Sequence, residues 1–233
     1  MAKKKSYQES PKVRRLRTMI IGGFAVLLIV VGGIGIWNVF SPMPAGLDEG
    51  RHYDLIGDVD ASRGDTIVVT EYFSYGCVHC RNFEPQVESW SRGLPDDVRF
   101  ERVPVSFSSA WRNLARAFYA AEELGILERN HRRIFDAIHV SGLTLSTPEA
   151  VAQLIDGQGT DAETFRRTMQ SPAVRRRLDE AENRVRAAGI MAVPTLVIDD
   201  RYRITSGELS RRQVLDVADR LIAREREARR AAE

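Results

Sequence analysis

The segment DTIVVTEYFSYGCVHCRNFEPQVESWSRGL, residues 65–94, contains both cysteines of this 233-residue chain. Its first part, residues 65–73, is a near-continuous run of β-branched and aromatic residues, a pattern that predicts a strand buried on both faces. A turn at residues 75–76 follows, and from Cys77 onward apolar residues recur at helical spacing: Phe83, Val87 and Trp90. The segment therefore predicts a central strand that leads through a turn into a helix, with the cysteines at the junction.

The sequence on either side of this segment predicts an α/β domain. Residues 51–56 and 97–105 are predicted strands before and after it, and residues 195–205 contain two more strands joined by a turn. Residues 108–188 have helical patterns and N-cap signals throughout, with capping expected at Thr147, Thr160 and Ser171. A final helix is predicted from about Ser210, fraying towards the C-terminus. The helical segment is therefore an insertion into a sheet domain.

The composition is that of an ordinary globular protein, with 43% apolar and 28% charged residues. The net charge of +2 is uneven, because residues 1–18 carry seven Lys or Arg and one Glu and contribute +6, which leaves −4 for the rest. A basic excess confined to a terminal tail does not form a nucleic-acid-binding surface, so we expect no nucleic-acid partner.

Residues 19–40 contain no charged side chain and, as a helix, would be roughly 33 Å long, enough to cross the core of a bilayer. A buried core helix is a poor alternative for so long an uncharged run. A cleavable export signal would have a shorter apolar region and a small-residue cleavage site, whereas this run is followed by SPMPAG, residues 41–46. We predict an uncleaved signal anchor. Because the cationic residues crowd its N-terminal side, the tail is predicted to be cytoplasmic and the rest of the chain exported.

Two cysteines at C-x-x-C spacing allow three interpretations. A zinc site would need further ligands, and the chain has no third cysteine and no histidines at ligand spacing. A structural disulfide between Cys77 and Cys80 would close a very small loop and add little stability. A redox-active dithiol is favoured because the pair lies at a strand-to-helix junction, and we expect no cofactor or metal beyond the Cys77–Cys80 disulfide.

The position of the dithiol predicts a role for each cysteine. Cys77 lies at the first turn of the predicted helix, where backbone N–H groups and the helix dipole stabilise a thiolate, so Cys77 is the predicted nucleophile. Cys80, three residues on, is the resolving cysteine. His79 can donate a hydrogen bond or positive charge to the thiolate and lower its pKa further. A stabilised thiolate favours the reduced protein and makes its disulfide a strong oxidant.

FSYGCVHC at residues 73–80, the length of the helical insertion and AVPT at residues 192–195 resemble the DsbA-type thiol:disulfide oxidoreductases. The resemblance covers about residues 50–225 and implies a thioredoxin-like fold. The charge and hydropathy patterns and the resemblance together predict the following organisation: a basic cytoplasmic tail (1–18), a transmembrane signal anchor (19–40), a spacer (41–50), a thioredoxin-like domain (51–107 and 189–230) and a helical insertion (108–188). Two features depart from the family: Val78 replaces the proline of C-P-H-C, and most members are soluble after signal cleavage.

Further site residues come from the resemblance. Val193 and Pro194 correspond to a cis-proline loop that faces the dithiol and binds the substrate peptide through the backbone of Val193. Without the resemblance, Pro194 would be read as a trans proline at the start of a strand. Glu71 resembles a buried acidic residue that relays the proton of Cys80, the alternative being a carboxylate on an edge strand. Phe73 and Tyr75 are candidate exposed aromatic side chains of a substrate groove.

The sequence thus predicts a disulfide oxidase that acts on exported cysteine-containing proteins. The resemblance implies a quinone-linked membrane partner of the DsbB type as its oxidant. Together with the predicted anchor, it implies a single-pass protein of the bacterial inner membrane, with the catalytic domain in the periplasm or outside the cell. Two alternatives remain open: a membrane-anchored thioredoxin-like reductase, and a tethered chaperone that does not use the dithiol.

Overall fold

The computed structural model describes residues 19–24, 46–57, 66–205, 207 and 209–231. It divides the chain into two units, Met1–Pro44 and Ala45–Glu233. In the first unit, residues 19–24 are helical and their apolar side chains are exposed. Across the described part of the chain, no helix combines the length and the apolar character that a membrane span requires. The predicted tail lies outside the described residues, as does most of the predicted anchor.

The second unit contains a five-stranded sheet. Its strands are β1 (Asp54–Leu55), β2 (Ile67–Phe73), β3 (Val98–Pro104), β4 (Thr195–Ile198) and β5 (Tyr202–Thr205). The order across the sheet is β1-β5-β4-β2-β3, with β2 parallel to β3 and every other neighbouring pair antiparallel. Six of the seven side chains of β2 are buried, which confirms the prediction that this strand is covered on both faces.

Seven helices are described in the second unit. They are α1 (Val78–Ser91), α2 (Ser109–Glu123), α3 (Leu127–His139), α4 (Pro148–Ile155), α5 (Ala162–Met169), α6 (Pro172–Ala187) and α7 (Arg211–Arg230). Helices α2 to α6 follow one another between β3 and β4, so the predicted α/β fold with a helical insertion is confirmed. A single buried cluster joins the end of β2 to the insertion, because Phe73 and Tyr75 pack with Phe118 and Phe135 of α2 and α3. The insertion therefore shares its core with the strand that leads to the dithiol.

Two of the three predicted caps in the insertion are confirmed. The hydroxyl groups of Thr147 and Ser171 accept hydrogen bonds at the starts of α4 and α6, each followed by proline at the first helical position. The prediction for Thr160 is wrong, because α5 begins one residue later and the carboxylate of Asp161 accepts from the backbone N–H of Thr164 at 2.8 Å. A carboxylate is at least as good an N-cap as a hydroxyl, and its charge favours the helix dipole.

The predicted fraying of the C-terminal helix is also wrong, since α7 continues to Arg230. Its last turns are tied to the sheet by arginines. Arg226 donates two hydrogen bonds to the carboxylate of Asp97, at 2.6 and 2.9 Å, and Arg229 donates to Asp199 at 2.7 Å. Asp97 and Asp199 are distant from α7 in the sequence. The local composition of the C-terminal residues therefore predicted a frayed helix end, because it does not show these contacts.

Candidate active site

The turn between β2 and α1 places Cys77 at the N-cap position of α1. The backbone N–H of Cys77 donates to the carbonyl of Ser74 at 3.0 Å, and the N–H of Gly76 donates to the Ser74 hydroxyl at 3.1 Å. A Cβ atom at Gly76 would overlap the indole of Trp111, so this position requires glycine for close packing. The chain thus leaves the buried strand and directs the Cys77 side chain to the start of the helix.

Both cysteines carry free thiols in this structure, and their exposure differs. Cys77 retains 8% of its surface and Cys80 only 1%, so Cys77 is the cysteine that an incoming thiol can reach. The two residues between them, Val78 and His79, are exposed. The difference in exposure is consistent with the predicted roles of nucleophile and resolving cysteine.

The surroundings of Cys77 lower its pKa from 9.0 to about 6. The largest cause is a hydrogen bond from the Cys80 side chain, and burial opposes it. Backbone N–H groups of Cys80 and His79 lower the pKa further, and the positive charge of His79 has a smaller effect than either. Cys80 and the backbone N–H groups at the start of α1 therefore stabilise the Cys77 thiolate more than His79 does, although the sequence alone indicates a prominent role for His79.

Cys80 titrates in the opposite direction. Burial raises the pKa of Cys80 far above its usual value, and the hydrogen bond to Cys77 and the Cys77 charge raise it further. Cys80 therefore keeps its proton and acts as the donor of the pair. The dithiol holds one stable thiolate and one stable thiol.

Glu71 lies on β2 and is fully buried, so the alternative of an edge carboxylate is wrong. Arg102, its partner in register on β3, donates from Nε to Glu71 Oε2 at 3.0 Å and from a terminal nitrogen to Glu84 Oε1 at 2.8 Å. His131 Nε2 lies 3.2 Å from Glu84 Oε2. The guanidinium of Arg102 is thus shared by two buried carboxylates, Glu71 and Glu84. Glu84 also contacts His131.

This arrangement shifts the pKa values of the two carboxyl groups in opposite directions. Burial raises the pKa of Glu71 to about 8, with Arg102 opposing the effect and Glu84 adding to it. Burial would also raise the pKa of Glu84, but His131 and Arg102 outweigh it and the pKa is lowered. Because one guanidinium compensates one charge, the proton resides on Glu71. Its Oε1 atom is buried and has no hydrogen-bond partner among the described residues, so it is available to carry that proton.

The loop before β4 faces the dithiol. The peptide bond between Val193 and Pro194 is cis, as the resemblance implied. The carbonyl oxygen of Val193 lies 3.5 Å from Cys77 Sγ. Val193 is half-buried and Pro194 is buried. The structure therefore brings Cys77, Cys80, Val193 and Pro194 together, with His79 beside them on the surface. Glu71 lies near enough to Cys80 that its charge helps to raise the pKa of Cys80.

Sequence reasoning missed three members of this site. Arg102, Glu84 and His131 are all buried or nearly so and connect to Glu71 through the contacts above. Arg102 could have been found from the sequence, because it and Glu71 carry opposite charges on successive predicted strands. The expected exposure of the aromatic side chains was wrong, because Phe73 and Tyr75 retain no more than 1% of their surface.

Comparison with known proteins identifies the relatives of this chain. Residues 68–217 match the DSBA-like thioredoxin domain. The thiol:disulfide interchange protein DsbA of Azotobacter vinelandii is 37% identical over 190 residues, which are 81% of this chain and 89% of that protein. The DsbA protein of Pseudomonas aeruginosa strain PAO1 is 35% identical over 206 residues, 86% of this chain and 97% of that protein.

Solved structures give the same result. The crystal structure of Pseudomonas aeruginosa DsbA superposes with a TM-score of 0.73 at 36% identity, covering 78% of this chain and 95% of that one. The oxidoreductase DsbA from Xylella fastidiosa superposes with a TM-score of 0.72 at 32% identity, covering 78% of this chain and 98% of that one. The sheet and the helical insertion described above are therefore a thioredoxin-like fold of the DsbA kind.

Titration of the reduced protein, followed by the ultraviolet absorbance of the thiolate, should give a Cys77 pKa of about 6. Replacing Cys80 by Ala removes the S–H donor and should raise this pKa by about one unit or more, since a hydrogen bond to a charged group is worth about 1.5–3 kcal/mol. His79→Ala is the matched comparison and should raise it less. A larger rise in His79→Ala than in Cys80→Ala would contradict this assignment.

Proposed function

Because the chain belongs to the DSBA-like thioredoxin domain family, we propose that it donates the Cys77–Cys80 disulfide to exported proteins that acquire disulfides as they fold. That it is a protein thiol:disulfide oxidoreductase follows from its similarity to the DsbA proteins. The direction of transfer is the proposed step. The observation that supports it is the stabilised thiolate of Cys77 beside the protonated thiol of Cys80.

The thiolate sets the direction because it favours the reduced protein. With a pKa of about 6, Cys77 is mostly ionised at pH 7, whereas an ordinary thiol with a pKa near 9 is not. The gain at pH 7 is about 1.4 kcal/mol, or about 30 mV for a two-electron couple. Any stabilisation of the reduced form makes the disulfide more oxidising by the same amount. This favours the oxidase over the reductase alternative.

The first step of the proposed reaction forms a mixed disulfide. A substrate thiolate attacks the Cys77 sulfur of the oxidised enzyme, a substrate–Cys77 disulfide forms, and the Cys77–Cys80 bond breaks with its electron pair going to Cys80. Glu71, protonated at neutral pH, gives its proton to the Cys80 sulfur as it leaves. Cys80 thereby reaches the thiol form that its buried position favours.

The second step releases the product. A second substrate thiolate attacks the substrate sulfur of the mixed disulfide, the substrate disulfide forms, and Cys77 leaves as the stabilised thiolate. The substrate has lost two electrons and two protons. Both substrate protons leave to solvent as the substrate thiolates form, and Glu71 regains one proton from solvent to replace the one it gave to Cys80. The reduced enzyme has therefore gained both electrons and one proton, which is held on Cys80, and the other proton remains in solvent.

The loop before β4 and its neighbours supply a surface for the substrate chain. The Val193 carbonyl beside Cys77 can accept a backbone hydrogen bond from an extended peptide. Three exposed apolar side chains lie on the segments next to this loop and the dithiol. Val78 follows Cys77, Met191 stands two residues before Val193, and Phe107 stacks on Trp111, whose indole packs at Gly76; they are 48%, 88% and 48% exposed. A chain that has not yet folded exposes apolar residues, so such a surface fits unfolded substrates.

The cycle needs an oxidant for the reduced dithiol, and a quinone-linked membrane protein of the DsbB type is the proposed one. An N-terminal anchor would support this exchange by raising the effective concentration of the two partners. The uncharged run at residues 19–40, its cationic N-terminal flank and the exposed apolar side chains at residues 19–24 favour such an anchor. The catalytic unit would then lie on the periplasmic side of the inner membrane.

The direction of transfer is tested by equilibrating the full-length protein in detergent with reduced and oxidised glutathione and measuring the fraction of reduced dithiol. We expect a midpoint potential above that of thioredoxin by at least about 30 mV, because the Cys77 thiolate favours the reduced form by that amount at pH 7. A potential near that of thioredoxin, about −270 mV, would contradict the oxidase proposal. Val78→Pro restores the dipeptide common in the family, and its midpoint potential shows how much Val78 changes the potential of the dithiol.

The chemistry is separated from a chaperone role by replacing both cysteines with alanine. The double variant should lose all ability to oxidise a reduced, unfolded protein with two cysteines, since no other cysteine is present in the chain. Protection of that substrate from aggregation, measured by light scattering, is the second readout. A double variant that keeps the full effect of the wild type on folding yield would favour the chaperone alternative.

The role of Glu71 is tested by the rate at which dithiothreitol reduces the oxidised enzyme. Glu71→Gln should lower this rate about 100-fold at neutral pH, because the leaving Cys80 sulfur loses its proton donor. The wild-type rate constant per attacking thiolate should fall as the pH rises through about 8, where Glu71 ionises. Glu88→Gln on the outer part of α1 is the control, and an unchanged rate and pH profile in Glu71→Gln would exclude the relay.

A further inference from the structure

Helix α3 of the insertion contacts the turn that precedes Cys77 through two histidines. The Tyr75 hydroxyl lies 2.8 Å from His131 Nδ1, and the Tyr75 carbonyl oxygen lies 2.8 Å from His139 Nε2. Two histidines of one helix therefore bond to opposite ends of a single residue. That residue stands two positions before the reactive sulfur.

The ring of Tyr75 is fixed as well as its polar atoms. Only 1% of its surface is exposed, and the ring packs edge-on against Phe73 and Phe135 with centroids 5.2 and 4.9 Å apart. Tyr75 is thus held at its ring, its hydroxyl and its carbonyl. Phe135 and both histidines belong to α3, so most of this restraint comes from the insertion.

The bonding partners set the direction of these hydrogen bonds. A carbonyl oxygen only accepts, so His139 donates from Nε2 to Tyr75. We assign the hydrogen of the His131 ring to Nε2, which lies 3.2 Å from Glu84 Oε2, and with this assignment Nδ1 accepts from the Tyr75 hydroxyl. Burial lowers the pKa of His131 and keeps the ring neutral, in agreement with a single N–H.

Helix α3 also reaches the other side of the dithiol. Asp136 accepts a hydrogen bond from Arg81, the residue after Cys80, at 3.2 Å. Through Glu84 and Arg102, the contacts of His131 continue to Glu71 beneath the dithiol. Helix α3 therefore contacts the residue two positions before Cys77, the residue after Cys80, and Glu84, which is linked through Arg102 to Glu71.

We propose that His131 and His139 are positioning residues that fix the turn at Tyr75 and so place Cys77 where its thiolate is stabilised. The hydrogen bonds that stabilise the thiolate come from the Cys80 side chain and from backbone N–H groups of the first turn of α1. Their lengths and angles depend on where the preceding turn ends. Helix α3 of the insertion therefore helps to make the Cys77–Cys80 disulfide oxidising, by fixing the turn that precedes Cys77. This inference rests on the function proposed above.

Four variants of the full-length protein test this assignment. His139→Leu removes the donor to the Tyr75 carbonyl, and His139→Gln keeps a donor close to the position of Nε2. Tyr75→Phe removes only the hydroxyl that bonds to His131. His52→Leu is the matched control, because His52 is 4% exposed, accepts a hydrogen bond from the backbone N–H of Asp48 and lies near β1, three strands away from β2.

Two quantities are measured in each variant: the Cys77 pKa and the equilibrium constant for oxidation of glutathione. We expect His139→Leu and Tyr75→Phe to raise the pKa and to lower the equilibrium constant at least threefold. His139→Gln should stay within about twofold of wild type. His52→Leu should lower thermal stability while leaving both redox quantities unchanged.

The inference is overturned if His139→Leu and Tyr75→Phe have wild-type pKa values and equilibrium constants, whatever their thermal stability. Should His139→Leu fail to fold, Tyr75→Phe, which keeps the ring and its packing, decides the matter alone. Failure of the proposed function has a different signature, since wild type itself would then show an ordinary thiol pKa. The two results are therefore distinguishable.

Discussion

The Cys77 thiolate is held at the N-terminus of α1 by the S–H group of Cys80 and by backbone N–H groups of the first helical turn. The rest of the structure serves this arrangement. The buried strand β2 leads the chain into the turn, Gly76 leaves room for the indole of Trp111, and the loop before β4 places the Val193 carbonyl oxygen 3.5 Å from Cys77 Sγ. Since each pKa unit is worth about 1.4 kcal/mol, small changes in this geometry alter the potential of the dithiol.

Beneath the dithiol, the number of charges matters as much as their positions. Two buried carboxylates share the guanidinium of Arg102, and His131 contacts only one of them, so Glu84 is ionised and Glu71 holds a proton. An isolated buried carboxylate would be costly, and a fully paired one would not release or accept a proton near neutral pH. The arrangement thus supplies a proton donor at the one sulfur, Cys80, that must be protonated when the disulfide opens.

Much of this could be predicted from the sequence, because the signals are local. The strand, the C-x-x-C junction, the caps at Thr147 and Ser171 and the order of elements each depend on a few neighbouring residues. Glu84, Arg102 and His131 could not be assigned, since their contacts join β2, β3, α1 and α3 and depend on how these elements pack. The full extent of α7 was missed for the same reason, because arginine partners on the sheet hold its last turns.

The most direct test of the central claim compares the stability of the two redox forms, measured by urea unfolding at pH 5 and pH 7. A disulfide normally stabilises a protein by restricting the unfolded chain. If Cys77 is stabilised as a thiolate in the folded protein, the reduced form gains about 1.4 kcal/mol at pH 7 that is absent at pH 5, so its free energy of unfolding should rise by that amount relative to the oxidised form between the two pH values. A difference between the two redox forms that does not change between pH 5 and pH 7 would contradict the account.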